Sequence, residues 1–234
     1  MLPTEQQLSM YRTASKDPQI AVYRTFVPGH VLGVIDQVID GPYFVGVSDT
    51  AALSMLALYV KLRPARNILE LGTFGGLSAI VMASCLDAND SSARLTTVDL
   101  SNKHQHDSRP HIQAASLEHK ISLISGSSTD AEVVNTLRRL GPFDMIYIDS
   151  SHAYKQTLEE LDLYTGDQAL SSSATAIFMH DAGRSAASSD PTGEGGVPRA
   201  VQEWMQKNGA HFQFLSLEPP VWPNPCGLGM LLRK

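Results

Sequence analysis

From residue 67 onward the chain alternates between short apolar runs and longer stretches whose apolar residues recur every three or four positions. The runs Asn67–Leu71, Ala93–Asp99, Ile121–Ser125, Phe143–Asp149 and Ser173–Met179 have the length of strands and are bounded by glycine, proline or polar residues. Phe143–Asp149 is apolar on both faces, as a parallel strand covered by helices must be. Between the runs, Leu77–Leu86, Asp130–Leu140 and Lys155–Tyr164 carry the helical period, while Asn102–Lys120 reads as solvated loop and helix. Strand and helix in alternation predict an α/β fold with a doubly wound sheet. Gly196–Trp204 predicts a further helix, and His211–Leu217 and Gly227–Leu232 two closing strands around a turn at Pro219–Pro225.

The first part of the chain is different. Residues 1–45 hold Pro3, Pro18 and Pro28 amid mixed polarity, with helices predicted over Glu5–Ser15, Pro18–Thr25 and Val31–Tyr43, the last stopped by Gly41-Pro42. Ser48-Asp49-Thr50 then caps a helix over Ala51–Leu62 that Pro64 ends. This divides the chain into a helical extension or cap, 1–45, and a main domain, 46–234.

The first strand and helix are joined by Glu70-Leu-Gly-Thr-Phe-Gly-Gly-Leu-Ser78. Its glycines let the backbone turn sharply and bring N–H groups close to a ligand at the start of the helix. A dinucleotide loop spaces its glycines G-x-G-x-x-G, whereas here they fall at Gly72, Gly75 and Gly76, with Glu70 just ahead of them. A carboxylate at that place repels a diphosphate and helps orient an ammonium group, which suits S-adenosylmethionine. Asp99, at the end of the second strand, stands where α/β nucleotide folds put the acid that binds ribose hydroxyls.

Two more constellations end strands. Asp149 closes the fourth and is followed by Ser150-Ser151-His152, an acid and a base at the edge where open α/β sheets carry their chemistry. His180-Asp181 closes the fifth, so Asp149, His180 and Asp181 are expected to converge. Two carboxylates and an imidazole suit a divalent cation, Mg²⁺ through its oxygen ligands or Mn²⁺, Fe²⁺ or Zn²⁺ through the nitrogen. His104, His106, His111 and His119 form no such set and read as solvated.

The Glu70–Ser78 turn resembles the first motif of class I S-adenosylmethionine-dependent methyltransferases. Asp-Ser-Ser-His-Ala-Tyr at 149–154 and Met-His-Asp-Ala-Gly at 179–183 are similar to the metal-dependent, catechol-type O-methyltransferases, closest to the natural-product and sugar branch with D-x-x-H-x-Y. The resemblance implies a Rossmann-like, seven-stranded, mostly parallel sheet with helices on both faces and the last strand antiparallel. It implies cofactor contacts at Ser48, Glu70, Gly72, Thr73, Gly75, Gly76, Ser78, Asp99, Leu100, Gly126, Ser127, Ser128 and Asp149. It makes Asp149, His180 and Asp181 metal ligands, with Mg²⁺ first and Mn²⁺ or Fe²⁺ as alternatives, and gives His152 and Asp149 the catalytic roles, His152 as general base. The catechol-type enzymes have Lys as base and Asp-Asn as the pair, so this chain departs at both places. The implied activity is methyl transfer to a hydroxyl of a small molecule. A metal-dependent hydroxylase, and a methyltransferase-fold protein that isomerises or binds without methylating, stand as alternatives.

Composition narrows the partners. With 234 residues, 43% of them hydrophobic, the chain can bury a large core. A net charge of −6 without a basic block argues against nucleic acid. No apolar stretch approaches a membrane span, and Met1–Asp17 lacks the apolar centre of a signal peptide. Cys85 and Cys226 form no disulfide framework. A cytoplasmic protein with reduced thiols is expected, and by analogy a homodimer through its N-terminal helices. Ala182–Gly196, rich in Ser, Gly, Asp and Pro, reads as a mobile lid, and Tyr154 and Trp222 as candidates to line a substrate pocket.

Overall fold

The structure, a computed structural model, describes residues 4–41, 48–63, 65–218 and 226–234. The expectations placed on Pro3, Pro42, Tyr43, Pro64 and Pro219–Pro225, Trp222 included, lie outside the described residues.

Seven strands form one sheet in the order β3-β2-β1-β4-β5-β7-β6. They are β1 (Asn67–Leu71), β2 (Arg94–Asp99), β3 (Ile121–Ser125), β4 (Phe143–Ile148), β5 (Ser171–His180), β6 (Phe212–Leu217) and β7 (Leu228–Arg233). All neighbours are parallel except those of β7, which runs antiparallel to both β5 and β6. The helices are α1 (Glu5–Lys16), α2 (Gly29–Asp40), α3 (Thr50–Leu62), α4 (Leu77–Cys85), α5 (Asn102–Ala114), α6 (Ala131–Leu140), α7 (Tyr154–Gly166) and α8 (Gly196–Asn208).

Strand periodicity divides the core in two. Ile68, Met145, Tyr147, Ala176 and Phe178 pack with α2, α3 and α4, whereas Leu69, Leu71, Ile146, Ile148, Ile177 and Met179 pack with α6, α7 and α8. Each buried Leu or Ile contributes about 1.5–3 kcal/mol. A one-residue slip of β1 would exchange the faces and drive Glu70 into the second cluster, so register is strongly fixed. Val31, Val34, Ile35, Val38 and Ile39 of α2 belong to the same buried cluster as Ile68 and Ile80, so the first forty residues share a core with the sheet.

Two expectations are narrowed. Within Pro18–Thr25 the helical piece is a short 3₁₀ helix, Val22–Thr25. Residues 182–196 are not a free lid, because Arg184–Ser189 is a 3₁₀ helix packed against α8, and Asp190 Oδ2 accepts the N–H of Gly196 at 2.8 Å. Asp190 Oδ1 accepts from the backbone and hydroxyl of Thr192, closing the segment on itself.

Candidate functional site

The strand order reverses at β1, between β2 and β4, and the crevice at such a switch point is where open α/β sheets bind ligands. Here it has a volume of about 420 Å³, within the range of small-molecule sites. Gly72 makes it possible. Its φ is +106° and a Cβ would meet the carbonyl oxygen of Asp149 at 1.9 Å, so only glycine lets the end of β1 lie against the end of β4. Gly76, at φ +81°, starts α4 without a side-chain cap. The first-turn N–H groups of a helix have no intrahelical acceptor, and the first-turn residues Leu77 and Ser78 line the crevice.

Glu70 does not line the crevice. Fully buried, it accepts the hydroxyls of Ser78 at 2.5 Å and Thr97 at 2.6 Å, and Thr97 in turn meets the Thr73 hydroxyl at 2.7 Å. In place of the ammonium contact expected of Glu70, the structure shows both oxygens engaged by hydroxyls, with the side chain anchoring the glycine turn. Burial pushes its carboxyl up to about 8. The acids that do reach the wall are Asp99 and Asp149.

Asp99 Oδ2 accepts the N–H groups of Thr73 at 3.0 Å and Phe74 at 2.9 Å, which shapes the turn. Its Oδ1 accepts from Ser101 N and faces His104 Nδ1 at 3.2 Å. His104 also packs edge-on against Phe74, ring centroids 4.9 Å apart, and both line the crevice. His104 thus departs from the solvated reading of its segment: it sits in the first turn of α5, just after the end of β2. Leu100 is exposed on the wall, which Gly126, Ser127 and Ser128 also line. Buried Glu160 of α7 accepts Ser128 Oγ at 2.5 Å and Ser150 Oγ at 2.8 Å, and so ties together two loops that line the site. Gly76 stands behind the wall formed by its neighbours.

Beyond the crevice, four side chains from the ends of β4 and β5 meet. His152 Nε2 is 3.3 Å from both Asp149 Oδ1 and Asp181 Oδ2. His180 Nδ1 is 3.4 Å from the same Asp149 atom and 3.2 Å from the same Asp181 atom. Asp149 Oδ2 accepts the hydroxyls of Ser48 at 2.8 Å and Tyr147 at 3.0 Å. Burial would raise the Asp149 carboxyl, yet the two imidazoles hold it well below the usual range. Burial would likewise lower His180, but the oxygens of Tyr147, Asp149 and Asp181 hold it well above the ordinary imidazole value. For His152 the same carboxylates outweigh burial and raise it.

Strain marks the same place. Among the described residues four non-glycines have positive φ, and three of them, Phe74, His152 and Asp181, sit at this edge. Such conformations cost about 1–3 kcal/mol and persist where surrounding structure imposes them.

These donors fit a divalent cation. The carboxylate and imidazole atoms of these four residues face one another at 3.2–3.4 Å. Neighbouring ligands of an ion bound at about 2.0–2.3 Å stand about that far apart. The donor atoms of Asp149, His152 and Asp181 all lie within 4.8 Å of one another. Tyr154 lies elsewhere, its hydroxyl on Glu203 and its ring under Arg199 at the α7–α8 surface. Two contributors absent from the site as read from sequence are Tyr147, inside a strand that looked merely apolar, and Glu160, on a helix read only for its leucines.

A family model described as rhamnosyl O-methyltransferase/CmcI matches residues 42–216. The chain belongs to that family. The rhamnosyl O-methyltransferase/CmcI match runs from just before Ser48 into β6, so it takes in the crevice and the four-residue cluster together. Among curated relatives, a catechol O-methyltransferase of Niastella koreensis is 38% identical over 95 residues, covering 41% of this chain and 42% of its own. One of Mycobacterium tuberculosis is 33% identical over 88 residues, covering 37% of this chain and 36% of its own. The chain thus spans about two fifths of the length of the curated relatives it matches. An O-methyltransferase from Bacillus cereus, solved in complex with SAH, superimposes with TM-score 0.66 at 22% identity, covering 100% of this chain and 93% of that one. TomG from Streptomyces achromogenes, solved with SAM, gives TM-score 0.69 at 20% identity with full coverage, 100%, of both chains. Both share the fold. No helix among the described residues is long and apolar enough to cross a membrane.

Proposed function

We propose that the protein is an S-adenosylmethionine-dependent O-methyltransferase acting on a hydroxyl of a small molecule, a natural-product or sugar intermediate. One observation carries this reading: Asp149 and His152 belong both to the wall of the crevice and to the charged cluster beside it. A nucleoside in the crevice and an acceptor at the cluster would share that boundary, which is the proximity that group transfer requires. The carboxylates of Asp99 and Asp149 favour a cationic ligand over a diphosphate, and the glycine spacing argues the same way against NAD.

Asp149, Asp181 and His180 would hold the divalent ion, which when bound lowers the pKa of an acceptor hydroxyl and fixes its position. His152 takes the hydroxyl proton at Nε2, and Asp149 and Asp181, each 3.3 Å from that nitrogen, stabilise the imidazolium. Ser48 and Tyr147 hold the far oxygen of Asp149. Calorimetric titration with S-adenosylmethionine and with NAD, followed by a search for S-adenosylhomocysteine formed with catechol and sugar acceptors, tests the reading. Binding of NAD in preference to S-adenosylmethionine would overturn it.

Both imidazoles face the same two carboxylate atoms, and this favours a second reading, an iron oxygenase with two histidines and one carboxylate. Fe²⁺-dependent oxygen uptake without S-adenosylhomocysteine would select it.

A further inference from the structure

His180 ends β5 almost fully buried, with both ring nitrogens facing carboxylates. Nε2 lies 3.2 Å from Asp49 Oδ2. Asp49 comes from a distant part of the chain, as the N-cap of α3, where its Oδ1 accepts the N–H groups of Ala51 at 2.8 Å and Ala52 at 2.9 Å. Those two bonds hold the carboxylate in place.

Held by those two bonds, Asp49 presents Oδ2 as the hydrogen-bond acceptor for an N–H at His180 Nε2. With Nε2 engaged by Asp49, Nδ1 is the ring atom that faces Asp181 Oδ2 and Asp149 Oδ1. A carboxylate that fixes the tautomer of a metal-bound imidazole is a recurrent means of tuning such centres. Nitrogen donors favour transition ions, whereas Mg²⁺ prefers oxygen and sheds water reluctantly.

We propose that Asp49 is a positioning residue that fixes His180 as an Nδ1 ligand, and that the centre at Asp149, His180 and Asp181 therefore prefers Mn²⁺, Fe²⁺ or Co²⁺ to Mg²⁺. This rests on the methyltransferase reading of the same strand edge and deepens it by naming the class of ion. It replaces the Mg²⁺ preference that the sequence resemblance implies.

The test uses the metal-stripped full chain. Free Mn²⁺ is followed by electron paramagnetic resonance with Mg²⁺ as competitor, and Co²⁺ by its visible absorption. Wild type should hold Mn²⁺ against a hundredfold excess of Mg²⁺. Asp49→Asn keeps the size of the side chain and the cap on α3 but can turn an N–H₂ donor towards Nε2, forcing the proton to Nδ1. Its Mn²⁺ affinity should fall about 10–100-fold, and the Co²⁺ spectrum should change. His180→Asp, an all-oxygen centre, should lose the preference over Mg²⁺. Far-UV circular dichroism and S-adenosylmethionine calorimetry show whether each variant is folded. An Asp49→Asn variant that binds Mn²⁺ like wild type, a His180→Asp variant that keeps the preference, or a wild type that binds none of these ions would overturn the proposal. Since S-adenosylmethionine binding is read separately, its loss in wild type would instead mark failure of the methyltransferase reading.

Discussion

His152 and Asp181 meet at 3.3 Å across the ends of β4 and β5, and both hold their backbones in the left-handed region, at φ 58° and 56°. Side chains there cost about 1–2 kcal/mol relative to ordinary helical or extended backbone, while glycine adopts the region freely. His152→Gly should therefore be more stable than His152→Ala by about 1 kcal/mol, although both lack the same imidazole. Urea denaturation of the pair measures this. Equal midpoints would mean the backbone at 152 is not strained.

The imidazole itself matters to turnover. His152→Ala should lower kcat about 10²–10⁴-fold, the ordinary contribution of a general base, with the dissociation constant for S-adenosylmethionine changed less than threefold. Initial rates of S-adenosylhomocysteine formation and calorimetry on the same preparation give the two numbers. Loss of cofactor affinity in step with kcat would assign His152 to binding rather than to proton transfer.

Gly72→Ala should be far more damaging than its size suggests. A Cβ would lie 1.9 Å from the backbone oxygen of Asp149, and the residue already has φ +106°. The strands must separate, at a cost of about 3 kcal/mol or more. A substantial loss in the denaturant midpoint is expected, together with loss of S-adenosylmethionine binding. A soluble variant with wild-type midpoint would contradict the close approach of β1 and β4.

Glu70 makes stability depend on pH. Its carboxyl is raised by burial from 4.5 to about 8, so between those values the folded chain keeps a proton that the unfolded chain has released. Stability from this group is fully present below the lower value, declines as pH rises by at most about 1.4 kcal/mol per unit, and levels off above the upper one. Glu70→Gln removes the titration, so its stability curve should be flatter across that window. Parallel curves for the two proteins in urea titrations would show that Glu70 is ionised in the folded state.

Much of the fold was legible because two-sided apolar strands and helical spacing are local signals. β1, with bounds Asn67–Leu71, and β3, with bounds Ile121–Ser125, match the residues read from sequence. The glycine turn and the acids that end β2 and β4 were likewise marked by residue type and position. What sequence could not show is direction. Glu70 shares the strand face of Ile68 and Tyr147, so the pleat turns it beneath the turn it was expected to open. Its neighbours mark Asp49 as an N-cap or, with Ser48, a cofactor contact, and only the tertiary fold carries its second oxygen to His180, 131 residues away. Residues 182–196 looked unstructured by composition, yet Asp190 and the packing of its 3₁₀ helix on α8 hold them.

The two backbone bonds from Thr73 and Phe74 to Asp99 bear on how quickly the crevice can fill. With the turn already in its final shape, an arriving nucleoside meets a rigid mould, and little conformational entropy is left to lose. Association should then follow a single concentration-dependent phase, with no slower rearrangement behind it.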